Sequence, residues 1–148
     1  MRQVVYFTAT EEQTIALGER LAAGWGLPVT ILLIGELGAG KTTLAKGLAA
    51  GFGATRPEEV SSPTFPLIHE YGDPVTVYHV DLYRLETIKQ VEGLGLDEIF
   101  ARPAAVLLEW AERFPSILPK ERIEIRIDAL RDQESSEARR IEVRDIDG

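Results

Sequence analysis

The sequence predicts an α/β domain with parallel core strands, antiparallel additions and flanking helices. Two continuous apolar runs carry that prediction, "VTILLI" (Val29–Ile34) and "AAVLLEW" (Ala104–Trp110). Each has strand length, and an unbroken apolar strand is one covered on both faces, as in parallel sheets. The third observation is the alternation of strand-like and helix-like segments along the chain. With 148 residues, 45% of them hydrophobic, there is material for one core. Residues 1–148 therefore read as one domain, and no stretch has the composition of a linker.

The elements follow in order. "QVVYF" (Gln3–Phe7) is β-branched and aromatic, a strand composition. Thr10 with Gln13 forms a capping-box pattern, and Leu17, Leu21 and Trp25 then recur at a helical spacing. Gly24, Gly26 and Pro28 end that helix. After Val29–Ile34 comes a glycine-rich loop, and "TTLAKGLAAGF" reads as a helix stopped near Gly51 and Gly53. "RPEEVSSPTF" is a loop with Pro57 and Pro63. "PLIHEY" and "VTVYHVDLY" are strands parted by the turn "GDP". "TIKQVEGLGLDEIF" is helical with a break at Gly93 and Gly95. "RIEIRID" and "RRIEVRD" alternate in strand fashion, and the charged stretch between them makes an antiparallel hairpin.

Composition narrows the function. The absence of cysteine removes disulfides, thiolate metal sites and Cys nucleophiles, and it fits a cytoplasmic setting. No apolar run reaches the 18 or so residues of a membrane span, and the first residues lack a signal-peptide pattern. A net charge of -8 argues against direct binding to a nucleic-acid backbone, which depends on Lys and Arg. Any service to nucleic acid is expected to run through a partner.

"GELGAGKT" (Gly35–Thr42) matches G-x-x-x-x-G-K-[ST] between an expected strand and an expected helix. That context makes the domain P-loop NTPase-like. Gly35, Gly38 and Gly40 let the backbone wrap phosphates and accept positive φ. The amides there, with Ala39 between the glycines, and the helix N-terminus face the anion. Lys41 reaches toward the β- and γ-phosphates, and Thr42 offers its hydroxyl to Mg²⁺. Thr43 is either a further phosphate contact or a plain helix residue.

Such a loop needs an acid to hold Mg²⁺ and position water. Asp81 and Glu109 stand at the ends of expected strands, where open α/β sheets bind ligands. Either could instead cap the turn that follows. The three apolar residues before Glu109 present it as a Walker-B acid. Thr64, in "VSSPTF", lies on a proline-stiffened loop of the kind that senses a γ-phosphate, or is an ordinary loop threonine. His69 and His79 have no metal-pair spacing and read as packed or hydrogen-bonded. His79 and Asp81, two apart, share a strand face. Trp110 reads as packing or as a wall of the nucleotide pocket.

"GELGAGKTT", "VSSPTF", "HVDLYRL", "GLDEIF" and "LLEW" occur together in this order. The combination resembles the bacterial TsaE (YjeE) family of small P-loop ATPases, over roughly residues 10–128. The resemblance implies a cytoplasmic ATPase that supports threonylcarbamoyladenosine modification of tRNA. It implies TsaD and TsaB as partners, contact with tRNA only through them, and hydrolysis that resets the complex. It implies a phosphate loop at Gly35–Thr43, Mg²⁺ held by Thr42 and Glu109, a switch-like threonine at Thr64 and a hydrolytic acid at Asp81. Thr10 would be a nucleotide contact, where the residues alone also allow an N-cap. ATP rather than GTP agrees with the lack of an N-K-x-D or T-K-x-D motif. Two other readings stay open from the residues. One is a small-metabolite kinase with Arg84, Arg102 or Arg113 on a lid. The other is an adaptor that binds nucleotide without turnover.

Overall fold

The computed structural model describes residues 2–61, 67–130 and 136–147. Seven strands form one sheet: β1 (Gln3–Thr8), β2 (Val29–Ile34), β3 (Ile68–Tyr71), β4 (Val77–Asp81), β5 (Ala105–Glu109), β6 (Arg122–Ala129) and β7 (Arg139–Ile146). Their spatial order is β1-β7-β6-β2-β5-β4-β3. The pairs β6–β2, β2–β5 and β5–β4 are parallel, and the outer pairs are antiparallel. The expected parallel core with antiparallel additions is therefore present. The "PLIHEY"/"VTVYHVD" pair and the final hairpin are its antiparallel parts. The pairing of β1 with β7 joins the two ends of the chain, which no local pattern announces.

Burial follows the sequence patterns. In β2, Ile31 and Leu33 enter the core beneath α1 (Glu11–Ala23) and α2 (Lys41–Gly51), while Leu32 joins the opposite core. In β5, Ala105 and Leu107 face the first core and Val106 and Leu108 the second. A strand covered on both faces has no polar face to alternate, hence the continuous apolar runs. The hairpin strands are covered on one face only. Ile123, Ile125, Ile127, Ile141 and Val143 all pack into the α1–α2 core. Thr10 caps α1, its Oγ1 accepting from the Gln13 N–H, while the Gln13 amide oxygen accepts from the Ala9 N–H. α3 (Ile88–Glu92) and α4 (Leu96–Phe100) cover the other face, parted by Gly93 and Gly95 as expected.

The two helices on the first face lie backbone to backbone. A Cβ on Gly47 would overlap the Ile15 carbonyl, a backbone atom that has nowhere to go. Alanine at a helix interior gains about 1 kcal/mol over glycine. Overpacking against an immovable backbone costs about 1–3 kcal/mol. Gly47→Ala is therefore expected to lower stability in denaturant unfolding, despite alanine's better helix propensity.

Candidate functional site

The parallel register sets the site. β2, β5 and β4 end level with one another, with Leu33 beside Glu109 and Glu109 beside Asp81. The chain leaves β2 into the glycine-rich loop and enters α2 directly above these acids. Asp81 and Glu109 sit on the α1–α2 side of the sheet, four residues beyond Val77 and two beyond Leu107 of that core along their own strands. Both are buried, at 7% and 3% exposure, as is Lys41 at 5%.

The loop's glycines serve two different purposes. Gly38 (φ 81°) and Gly40 (φ 107°) occupy the left-handed region. Gly35 does not. Its Cβ would lie 2.7 Å from the Ile127 carbonyl of β6, so its role is close approach, and the expectation of positive φ there is corrected. Gly40 begins α2 with no side-chain cap, so the helix N-terminus presents backbone N–H groups to whatever lies above it. Ala39 is buried, and its carbonyl accepts from Arg139 Nε at 2.5 Å.

Lys41 folds back along the loop, its Nζ donating to the Gly35 carbonyl at 2.7 Å and lying 3.5 Å from the centre of the Trp110 ring. Burial pushes its pKa down, opposed by the charges of Glu109, Glu112 and Asp81. Trp110 holds a positive φ of 66°, a conformation that costs a bulky residue about 1–3 kcal/mol. The turn it makes after β5 sets the indole against Lys41 and against the Tyr83 ring, 5.0 Å away. Trp110 fills both places: it packs against the second core and lines the cavity.

Lys41, Thr42, Thr43, Asp81 and Glu109 line one cavity of about 410 Å³, together with Gly38, Gly40, Tyr83, Arg84 and Arg139. Thr10 is not among the lining residues; its side chain is the α1 cap. Thr64 lies outside the described residues.

Asp81 accepts from the Tyr83 N–H at 2.9 Å, which orders the turn after β4. Arg113 fastens the same turn, its Nη2 donating to the carbonyls of Leu82, Tyr83 and Leu85 at 2.6, 3.1 and 2.8 Å. Arg102 donates to the Tyr78 hydroxyl at 2.7 Å. Of the three arginines considered for a lid, only Arg84 reaches the cavity. His79 is fully buried, its Nε2 2.5 Å from Glu109 Oε2. His69 is half-buried beside the Tyr71 hydroxyl, and no cluster of three metal-binding side chains occurs among the described residues.

Burial raises the Asp81 pKa above the ordinary aspartate value, and the Tyr83 N–H only partly opposes it. The folded state then holds the proton more tightly than the unfolded chain. As pH climbs from the ordinary aspartate value through the raised one, the stability from this group is lost. Asp81→Asn is expected to melt higher than the parent at neutral pH, and the gap should close below the ordinary aspartate pKa. Thermal melts across pH check both.

Arg139 is the residue that local reading missed. It lies one hundred positions from Ala39 and reaches the loop only because β7 pairs with β6 and β6 with β2. Strand alternation offered one signal: Arg139 shares the face of Ile141, which is buried under α2.

A family described as "Threonylcarbamoyl adenosine biosynthesis protein TsaE" matches residues 8–141. This chain belongs to the TsaE family. Curated relatives carry the name tRNA threonylcarbamoyladenosine biosynthesis protein TsaE. The one from Bacillus subtilis is 44% identical over 136 residues, covering 90% of this chain and 83% of the relative. The one from Nostoc is 47% identical over 118 residues, covering 74% and 68%. The crystal structure of Bacillus subtilis YdiB superposes with a TM-score of 0.77 at 36% identity, covering 99% of this chain and 87% of that one. The TsaE match spans every residue of the cavity wall. Among the described residues no helix of this TsaE-family chain is long and apolar enough to cross a membrane.

Proposed function

We propose that this TsaE-family chain is a Mg²⁺-dependent ATPase that supports threonylcarbamoyladenosine modification of tRNA, working with TsaD and TsaB. The observation that carries the reading is the convergence of Lys41, Thr42, Asp81 and Glu109 on one cavity under the uncapped end of α2. The family supplies the tRNA pathway.

The donors fit Mg²⁺. Thr42 and Glu109 offer hard oxygens within one cavity, and the described residues hold no larger cage. Mg²⁺ takes few protein ligands and completes its shell with water and substrate phosphates. Thr42 and Glu109 would hold it, and when bound it would neutralise charge building on the β- and γ-phosphates.

The chain's own groups do the rest. The amides of the loop and of α2 hold the phosphates. Lys41 exchanges the Gly35 carbonyl for a phosphate oxygen, a short move for a flexible side chain that already lies in the cavity wall. Asp81 belongs to a fixed turn in the cavity wall, where it would position an attacking water. Trp110 and Tyr83 pack against each other in the wall beside it.

Hydrolysis would reset the partner complex. If TsaD–TsaB prefers the ATP state, ATP tightens its binding by the same factor, and cleavage loosens it. The expected result is stronger affinity for the TsaD–TsaB pair with ATP than with ADP or no nucleotide, measured by titration in each state. Equal affinity in all three overturns the switch. Phosphate carried to an added small acceptor would identify a kinase.

A further inference from the structure

We propose that His79 is the positioning residue of this site, fixing the Glu109 carboxylate so that one oxygen is left for the cavity. The inference rests on the reading of Glu109 as a ligand for Mg²⁺.

His79 stands in the middle of β4, between the buried residues Tyr78 and Val80, with no surface exposed. Its strand neighbours are His69 on β3 and Leu107 on β5. Valine or leucine would fill such a position without a polar atom to satisfy. Burying an imidazole instead is costly unless it is hydrogen-bonded. Only one ring nitrogen is: Nε2 meets Glu109 Oε2 at 2.5 Å, and Nδ1 has no partner among the described residues. A carboxylate oxygen accepts, so Nε2 carries the proton. The histidine is thus kept in the core at a cost, and its one bonded partner is a site carboxylate.

Register shows that it acts through Glu109. Asp81 lies beside Glu109, and His79 lies one step of two residues deeper, beside Leu107. His79 does not line the cavity. With Oε2 pinned from below, Oε1 is the oxygen free to face Thr42. An unpinned glutamate would rotate freely, and Lys41, in the same wall, would compete for it. Groups that orient a metal ligand in this way are worth about 10–100-fold in metal affinity or activity.

The test uses the whole chain with His79→Leu, His79→Asn and His79→Gln, titrated with Mg²⁺ at fixed fluorescent ATP analogue. Glutamine can place an N–H near the Nε2 position; asparagine is too short. The expected result is a Mg²⁺ requirement raised about 10–100-fold in the Leu and Asn variants and largely restored in Gln. Nucleotide affinity in EDTA should not change, and kcat should recover at high Mg²⁺. In metal-free parent labelled with ¹⁵N-histidine, one of only two histidines should show a protected low-field ring N–H, lost in His79→Gln and shifted in Glu109→Gln. Should the Leu variant fail to fold, the Asn–Gln pair decides. Equal Mg²⁺ requirements in Asn and Gln, or absence of the low-field proton, overturn the proposal. A parent whose nucleotide binding and turnover are both indifferent to Mg²⁺ overturns the reading of Glu109 as a Mg²⁺ ligand, and this proposal with it. A Mg²⁺-dependent parent with an indifferent His79→Leu variant overturns this proposal alone.

Discussion

Lys41→Ala and Thr42→Ala are each expected to abolish productive binding of ATP with Mg²⁺. Lys41 is the cation of the cavity wall that can leave its resting partner, the Gly35 carbonyl, for a phosphate oxygen. Removing one preorganised donor from a closed site costs about 10²–10³ in rate, or roughly 2.7–4 kcal/mol. Thr42 is the hydroxyl in the first turn of α2, beside Glu109 in the same wall. Its loss would remove one of the two side chains proposed to hold the metal. The fold should survive the lysine change, because burial already disfavours that charge in the folded chain. Titration with a fluorescent ATP analogue and Mg²⁺, beside thermal melts, checks the pair. Binding and turnover like the parent in both variants would remove this loop from the site.

Glu109→Gln is expected to lose hydrolysis far more than nucleotide affinity. Glutamine keeps an oxygen for His79 Nε2, so the buried imidazole is not orphaned. It would remove the charge proposed to serve the metal, while the amides of the loop and α2 would still be there to hold the phosphates. Metal stabilisation of the transition state is worth several kcal/mol. A drop of about a hundredfold or more in rate with little change in affinity is the expected split. Glu109→Ala is the less clean variant, since it strips His79 of its one partner and adds a folding cost. An unchanged rate with a lowered melting temperature would mark Glu109 as a strand-end cap.

Much of this was legible in the sequence because it rests on local patterns. The runs of β2 and β5 show that both faces are covered, and the alternation of β6 and β7 shows that one is. The G-x-x-x-x-G-K-[ST] loop announces its own geometry, since only glycine suits Gly38 and Gly40. Asp81 and Glu109 were legible as strand-end acids. That they lie side by side was not, because register between β4 and β5 depends on residues far apart in the chain. Arg139 was hidden for the same reason, and so was the contact between His79 and Glu109, thirty positions apart. Gly35 was read correctly as necessary but for a different cause, a neighbouring strand that sequence spacing does not reveal. Thr10 satisfied both of its readings in sequence, and the fold shows the cap.

The most direct measurement is phosphate release from ATP by the purified chain, with and without Mg²⁺ and with and without TsaD–TsaB. The account predicts slow Mg²⁺-dependent release by the chain alone, a clear rise with the partners, and almost none from Glu109→Gln under either condition. A transition state completed by a group supplied in trans gains about 10³–10⁵ in related GTPases, so even part of that effect is easily seen. No Mg²⁺-dependent phosphate release in any combination, or equal release from Glu109→Gln and the parent, would contradict it.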